Sequence, residues 1–126
     1  MNIQLNNWEI ANINYSHFDN EIREDNSFSL RFKKVFKNKE KNNFKIVFFL
    51  NIEDKNFDLN IDAVFSFTTD EKITEDFKQS HFPRINAPAI AYPYLRAYVS
   101  NLTLQSGTNP VMLPTINFVK FKNPDD

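Results

Sequence analysis

The stretch Phe57-Asp-Leu-Asn-Ile-Asp-Ala-Val-Phe-Ser-Phe-Thr68 places an apolar side chain at every second position: Phe57, Leu59, Ile61, Ala63, Phe65 and Phe67. Asp58, Asn60, Asp62, Ser66 and Thr68 fill the alternate positions, so the period is two. That period describes a β-strand with one face on a core and one largely in water. Upstream, Phe28, Leu30, Phe32 and Phe36 alternate with Ser27, Ser29, Arg31 and Lys33 in the same way. Between these runs, Phe44 to Ile52 is apolar on one face throughout and gains Val47 and Phe49 on the other, which predicts a strand covered on both sides at its middle. A first run carries Trp8 and Ile10, then Ile13 and Tyr15, and its slip of phase predicts a bulge. The strands are expected near 8–16, 27–37, 43–53 and 56–68. Glu53 to Asn56 suits a tight hairpin and Lys37 to Asn43 a longer one, and sequential strands joined in this way imply an antiparallel sheet.

Beyond the strands the pattern changes. Residues 70–79 predict a short helix capped by Thr69 or Asp70, with Ile73 and Phe77 facing inward. From Pro83 to Phe118 the only charged residues are Arg84 and Arg96, and five of the six prolines fall here. Tyr92-Pro93 predicts the start of a helix running to about Ser106, because proline is tolerated in a first turn, and Gly107 suits the position just past the end. Leu95, Tyr98, Val99 and Leu102 form its core stripe. The fold class is therefore α+β, a four-stranded antiparallel sheet packed on one long helix, in a single domain spanning 1–126. The other side of the helix carries Ala97, Ser100, Asn101 and Leu104 without one acid. A solvated helix face normally carries charge, so this row is expected to contact another copy of the chain.

Composition removes several function classes. Lys and Arg number 15 against 16 Asp and Glu, a formal charge of −1, whereas nucleic-acid binders usually carry a basic excess. Arg31 to Lys45 holds seven bases and one acid, which is read as a solvated hairpin with a lysine-protected edge. Without cysteine there are neither disulfides nor thiolate metal ligands. With 14 Phe and one Gly, the chain has large aromatic area and no glycine-rich phosphate loop. His17 and His81 share no metal-site spacing, and Asp70, Glu71, Glu75 and Asp76 suit a helix N-terminus rather than a catalytic pair. No enzyme signature, cofactor motif or metal site stands out. The first residues lack a basic, then apolar leader, and no apolar run reaches the roughly 20 residues of a membrane span, so a cytoplasmic location is expected.

The specific signal is the segment Asn86 to Gly107 followed by Pro110 to Phe118. Pro93-Tyr94-Leu95-Arg96, Ser106-Gly107, Leu113-Pro114 and Ile116-Asn117-Phe118 stand there in an order and spacing that resemble the SecB family of protein-export chaperones. The resemblance covers residues 83–118 in detail and 8–118 in outline. It implies a non-catalytic, ATP-independent holdase that assembles as a dimer of dimers, with its long helices sandwiched between sheets. Homotetramer is therefore the first expectation and dimer the second. The family's second amphipathic helix and acidic tail have no counterpart in Val119 to Asp126. The first strand offers only Glu9 as an acid for docking the translocase motor SecA. SecA as a partner is therefore left open, and a dedicated client such as an antitoxin fits at least as well.

A holdase needs apolar area that tolerates many partners. The client-binding candidates are Val47, Phe49 and Val64 on the second face of the central strands, and Val111, Met112, Leu113, Ile116 and Phe118 after the helix. Each could equally be core or subunit interface. The alternatives are a small-ligand or lipid-binding module, which would need one closed cavity, and an accessory subunit of one fixed protein.

Overall fold

The structure is a computed structural model that describes residues 1–125 except Asn38 and Glu40. Those two lie within the Lys37–Asn43 connection, so that hairpin falls partly outside the described residues. The strands are β1 (Ile3–His17), β2 (Ser27–Val35), β3 (Asn43–Glu53) and β4 (Phe57–Thr69), in the order β1-β4-β3-β2. Every neighbouring pair is antiparallel. The four strands were each legible, but β1 begins five residues before its expected start. Ile3 and Leu5 stand there among Gln4, Asn6 and Asn7, a weak strand signal that pairing with Thr69 and Phe67 overrides. The phase slip in β1 is real. Register shifts fall between Ile10 and Asn12 and, additionally, between Leu5 and Asn7.

The strand order has a consequence for the β1–β2 connection. It leaves one edge of the sheet and must reach the other, so residues 18–26 pass across the β3–β4 turn. Phe18 N–H donates to Asn56 O at 2.7 Å and Ile22 N–H to Lys55 O at 2.9 Å. Arg23 fastens the crossing, donating to the carbonyl oxygen of Asp54 and forming an ion pair with Asp58 at 2.8 Å.

The helical half differs from expectation at both of its helix starts. The short helix α1 is only Glu75–Lys78, and its cap is Thr74, whose hydroxyl accepts from Phe77 N–H at 3.1 Å. Thr69 instead ends β4 and donates its hydroxyl to Glu71 O at 2.6 Å. Phe77 is buried as expected, while Ile73 packs on the core from ahead of the helix. A π-helical turn, Phe82–Asn86, then leads directly into α2, Ala87–Gln105. The long helix therefore starts five residues before Tyr92, and Pro93 lies inside it rather than at its first turn. Pro88 takes that first-turn place. An internal proline deletes one helical hydrogen bond and bends the axis at a cost of about 3 kcal/mol. The buried turn holding Ala87, Ala91 and Tyr92, which packs into the core, offsets that cost.

The sheet's inner face and α2 enclose the core. Phe44, Ile46, Phe48, Leu50 and Ile52 of β3 meet Leu59, Ile61, Phe65 and Phe67 of β4, and Leu95 and Val99 of α2 close over them. Trp8 stacks on Phe65 at 4.9 Å and meets Tyr98 edge-on at 5.8 Å, joining β1 to α2. After α2 the chain returns along the sheet. Phe118 packs on Phe48 and Tyr92, and Phe121 stacks on Phe32 at 6.0 Å, beside the outer edge of β2.

Candidate functional site

Antiparallel register gathers four strand ends at one end of the sheet. His17 pairs with Phe57, Phe28 with Ile52 and Ser27 with Glu53. The segment leaving α2 passes over this end. Between the two lies a surface groove of about 740 Å³, walled by Phe28, Ile52, Phe57 and the turn residues Asp54–Asn56 on one side and by residues 107–113 on the other.

The second wall is held by hydrogen bonds from α2. The helix stops in a Schellman arrangement: Thr108 N–H donates to Thr103 O at 3.1 Å and Gly107 N–H to Leu104 O at 3.2 Å. Gly107 takes the left-handed φ of 91° that this turn requires, as its position predicts. Thr103 is fully buried, and its hydroxyl accepts from Val111 N–H at 2.9 Å while donating to Val99 O at 2.8 Å. Arg96 Nε donates to Leu113 O at 2.9 Å and the Tyr92 hydroxyl to Pro114 O at 2.6 Å. Burial pushes the Tyr92 phenol up to about 12, with the Arg96 charge acting weakly the other way, so it remains a neutral donor at physiological pH. Near the β1 end, burial and then the Asp54 charge raise the Tyr15 phenol as well.

The eight client-binding candidates fall in three places. Val111 and Met112 line the groove, with Met112 74% exposed. Leu113 also borders the groove but is buried with Phe118 in the core, and Ile116 packs against that core. Val47, Phe49 and Val64 lie on the opposite face of the sheet. Val47 pairs with Val64 in a small apolar island, with Glu9 and Lys33 at the ends of that row. The Arg31 guanidinium lies 4.0 Å over Phe49. The helix row Ala97, Ser100, Asn101 and Leu104 lines a second groove of about 500 Å³ with Pro93, Arg96 and Met112. Leu104 is 58% exposed there. Met112 thus stands between the two grooves, and the Ser100 hydroxyl donates to its sulfur at 3.4 Å.

Sequence reasoning missed Phe28, which is exposed in the groove; Ile52 and Phe57 border it but are buried in the core, as their alternation predicts. Only the register shows that the three share one end of the sheet. It also passed over Tyr92 and Thr103 as anchors, which belong to no motif. Among the described residues, no group of three or more His, Cys, Asp or Glu could hold a metal ion. No helix among the described residues is long and apolar enough to cross a membrane.

Comparison with known proteins places this geometry in context. Over 90% of its length the chain superposes on 87% of the SecB-like chaperone Rv1957 of Mycobacterium tuberculosis, solved with a ChAD peptide from the antitoxin HigA1, with a TM-score of 0.68 and 15% identity. It also superposes on a protein of unknown function from Streptococcus agalactiae, covering 91% of this chain and 98% of that one, with a TM-score of 0.55 and 14% identity. These likenesses establish the shared fold. Among curated proteins, an uncharacterized protein of Methanocaldococcus jannaschii, MJ0357, is 45% identical over 40 residues, which are 32% of this chain. The match spans about a quarter (26%) of that relative's length. The sequence model of the family described as preprotein translocase subunit SecB matches residues 15–123. With that match running from the end of β1 to the tail beside β2, the chain belongs to the SecB family of non-catalytic chaperones.

Proposed function

We propose that the protein is an ATP-independent holdase that captures unfolded polypeptide segments in the groove between the strand ends and the segment after α2. The observation that carries this reading is a pair of exposed apolar side chains across a groove whose rim is otherwise largely polar. Phe28 and Met112 are large, apolar and exposed on facing walls, and the second wall is pinned by hydrogen bonds beneath them. Apolar contacts of this kind accept many sequences, since Phe and Met can repack against different partners. A dedicated client is the favoured form of the reading, because the structurally similar Rv1957 carries an antitoxin peptide. In this reading the protein acts in the cytoplasm, and its partners are unfolded clients, further copies of itself and, for exported clients, SecA.

The test is suppression of aggregation of several unrelated unfolded proteins without nucleotide. Wild-type protein is expected to suppress it, with client affinity changing little between low and moderate salt, since screening acts on exposed charges rather than apolar burial. Met112→Ala should weaken client binding by about 1–2 kcal/mol, roughly 5- to 30-fold. Binding that collapses with salt while ignoring Met112 would sink the reading and move the site to the lysines of the β2–β3 hairpin.

The second groove, lined by the uncharged helix row, supports a reading in which copies of the chain assemble. We place the contact between copies on Ala97, Ser100, Asn101 and Leu104, in a homotetramer first and a dimer second. Leu104→Glu is expected to split the assembly, because a charge buried at an interface is costly and the positions one helical turn from 104, Ser100 and Asn101, supply no base to pair with it. Sedimentation of the wild-type chain as a 14.9 kDa particle at micromolar concentration would rule this out.

A further inference from the structure

Sulfur occurs in this chain only as the thioethers of Met1 and Met112, since there is no cysteine. Met1 precedes β1, at the far end of the sheet from the client groove. Met112 borders that groove and is the most exposed large apolar side chain among the described residues. Its backbone is held on both sides. Thr103 accepts from Val111 N–H at 2.9 Å, and Arg96 donates to Leu113 O at 2.9 Å. A leucine at 112 would supply similar apolar volume. What methionine adds is a polarizable sulfur open to oxidation.

The sulfur also has a neighbour that favours its oxidised form. The Ser100 hydroxyl donates to it at 3.4 Å, within the groove that Arg96, Asn101 and Met112 share. A hydroxyl on one of the two sulfur lone pairs leaves the other for an incoming oxidant. A sulfoxide oxygen is a stronger acceptor than a thioether sulfur, and Ser100, Asn101 and the Arg96 guanidinium supply donors around it.

We propose that Met112 is an oxidation site, converted by a peroxide to methionine sulfoxide, and that the conversion lowers the affinity of the groove for clients. A sulfur lone pair attacks one peroxide oxygen, the O–O bond breaks and an S–O bond forms. Sulfur is oxidised by two electrons and the peroxide is reduced by two. With hydrogen peroxide, the proton on the transferred oxygen passes to the departing hydroxide, which leaves as water. The flexible apolar side chain becomes polar and chiral, so Phe28 then faces a polar wall. Methionine sulfoxide reductases, one for each epimer, restore the thioether and with it the apolar wall. The loss of affinity rests on the reading of this groove as the client site, whereas the oxidation itself does not.

The test treats the full chain with dilute hydrogen peroxide and follows the oxygen added at each methionine by peptide mass. Met112 is expected to oxidise within about three-fold of the rate of a peptide copying residues 109–115, with one epimer in excess by about 3:1. The two epimer-specific reductases read that ratio, and Ser100→Ala should bring it toward 1:1. Affinity for reduced and alkylated α-lactalbumin is measured before and after treatment. Oxidation should weaken it at least about five-fold, and the reductase pair should restore it. Met112→Leu, compared with itself before and after peroxide, should show no change although Met1 is still oxidised. A Met112 left unmodified by peroxide that oxidises the peptide fully would overturn the proposal, as would an epimer ratio near 1:1 in wild type. Equal affinity of the oxidised and reduced wild type would overturn it too, and so would a Met112→Leu variant that loses affinity as wild type does. A reduced protein that binds no client would sink the holdase reading and with it the loss of affinity, while mass and epimer ratio still decide the modification.

Discussion

Phe48→Ala is expected to destabilise the fold by about 3–5 kcal/mol, the usual cost of deleting a buried aromatic ring. The residue is fully buried, and its ring centroid lies 5.8 Å from Phe32, 5.7 Å from Phe65 and 6.3 Å from both Tyr92 and Phe118. These neighbours belong to β2, β4, α2 and the returning segment, so one truncation opens a cavity where all of them meet. Such aromatic pairs add about 0.5–1.5 kcal/mol each beyond buried area. Phe48→Leu keeps much of the volume and should cost less, about 1.5 kcal/mol. Denaturant unfolding checks both, and the midpoint should fall without a change of slope. An alanine variant within about 1 kcal/mol of wild type would mean that the core collapses to fill the space.

Thr103→Val should cost about 2–3 kcal/mol although it barely changes shape, because valine leaves the Val111 N–H without its acceptor. The Thr103 hydroxyl is the point at which α2 grips the groove's second wall, with Arg96 and Tyr92 acting further along at Leu113 and Pro114. Losing the first grip should loosen Val111 and Met112 before it affects the sheet. Accelerated amide exchange at Val111, with β3 and β4 amides unchanged, is the expected signature, and Thr103→Ser should restore most of the protection. If Val111 stays as protected in the valine variant, the wall is held by packing and the hydroxyl is incidental.

Particular residues show what the sequence disclosed. The alternation in β4 and β2, and the doubled apolar character of β3, come from local side-chain period. They marked the sheet and three of its strands to within two residues at each end. Gly107 was legible because only glycine readily takes the φ that a Schellman stop needs. The extra residues of β1 were hidden, since Ile3 and Leu5 become strand only through pairing with β4, a long-range event. Pro93 misled because proline at a helix start is the cheaper local solution. Burial of the Ala87–Tyr92 turn decided otherwise. The candidate site was half legible. Val111 and Met112 stood out as uncharged apolar residues after a helix, while Phe28, exposed in the groove, looked like any other inward strand position. Arg23 gave no signal, because a single polar residue in a polar stretch acquires its role only from what lies across from it.

The stacking of Trp8 on Phe65, with Tyr98 edge-on from α2, has a spectroscopic consequence. Trp8 is the only tryptophan in the chain. Its indole emission therefore reports on the seam between β1 and the long helix, without a label and without interference from a second indole. Any event that lifts α2 from the sheet exposes this ring to water and moves its emission to the red. The protein thus carries an intrinsic optical gauge of helix docking at the place where the sheet meets α2.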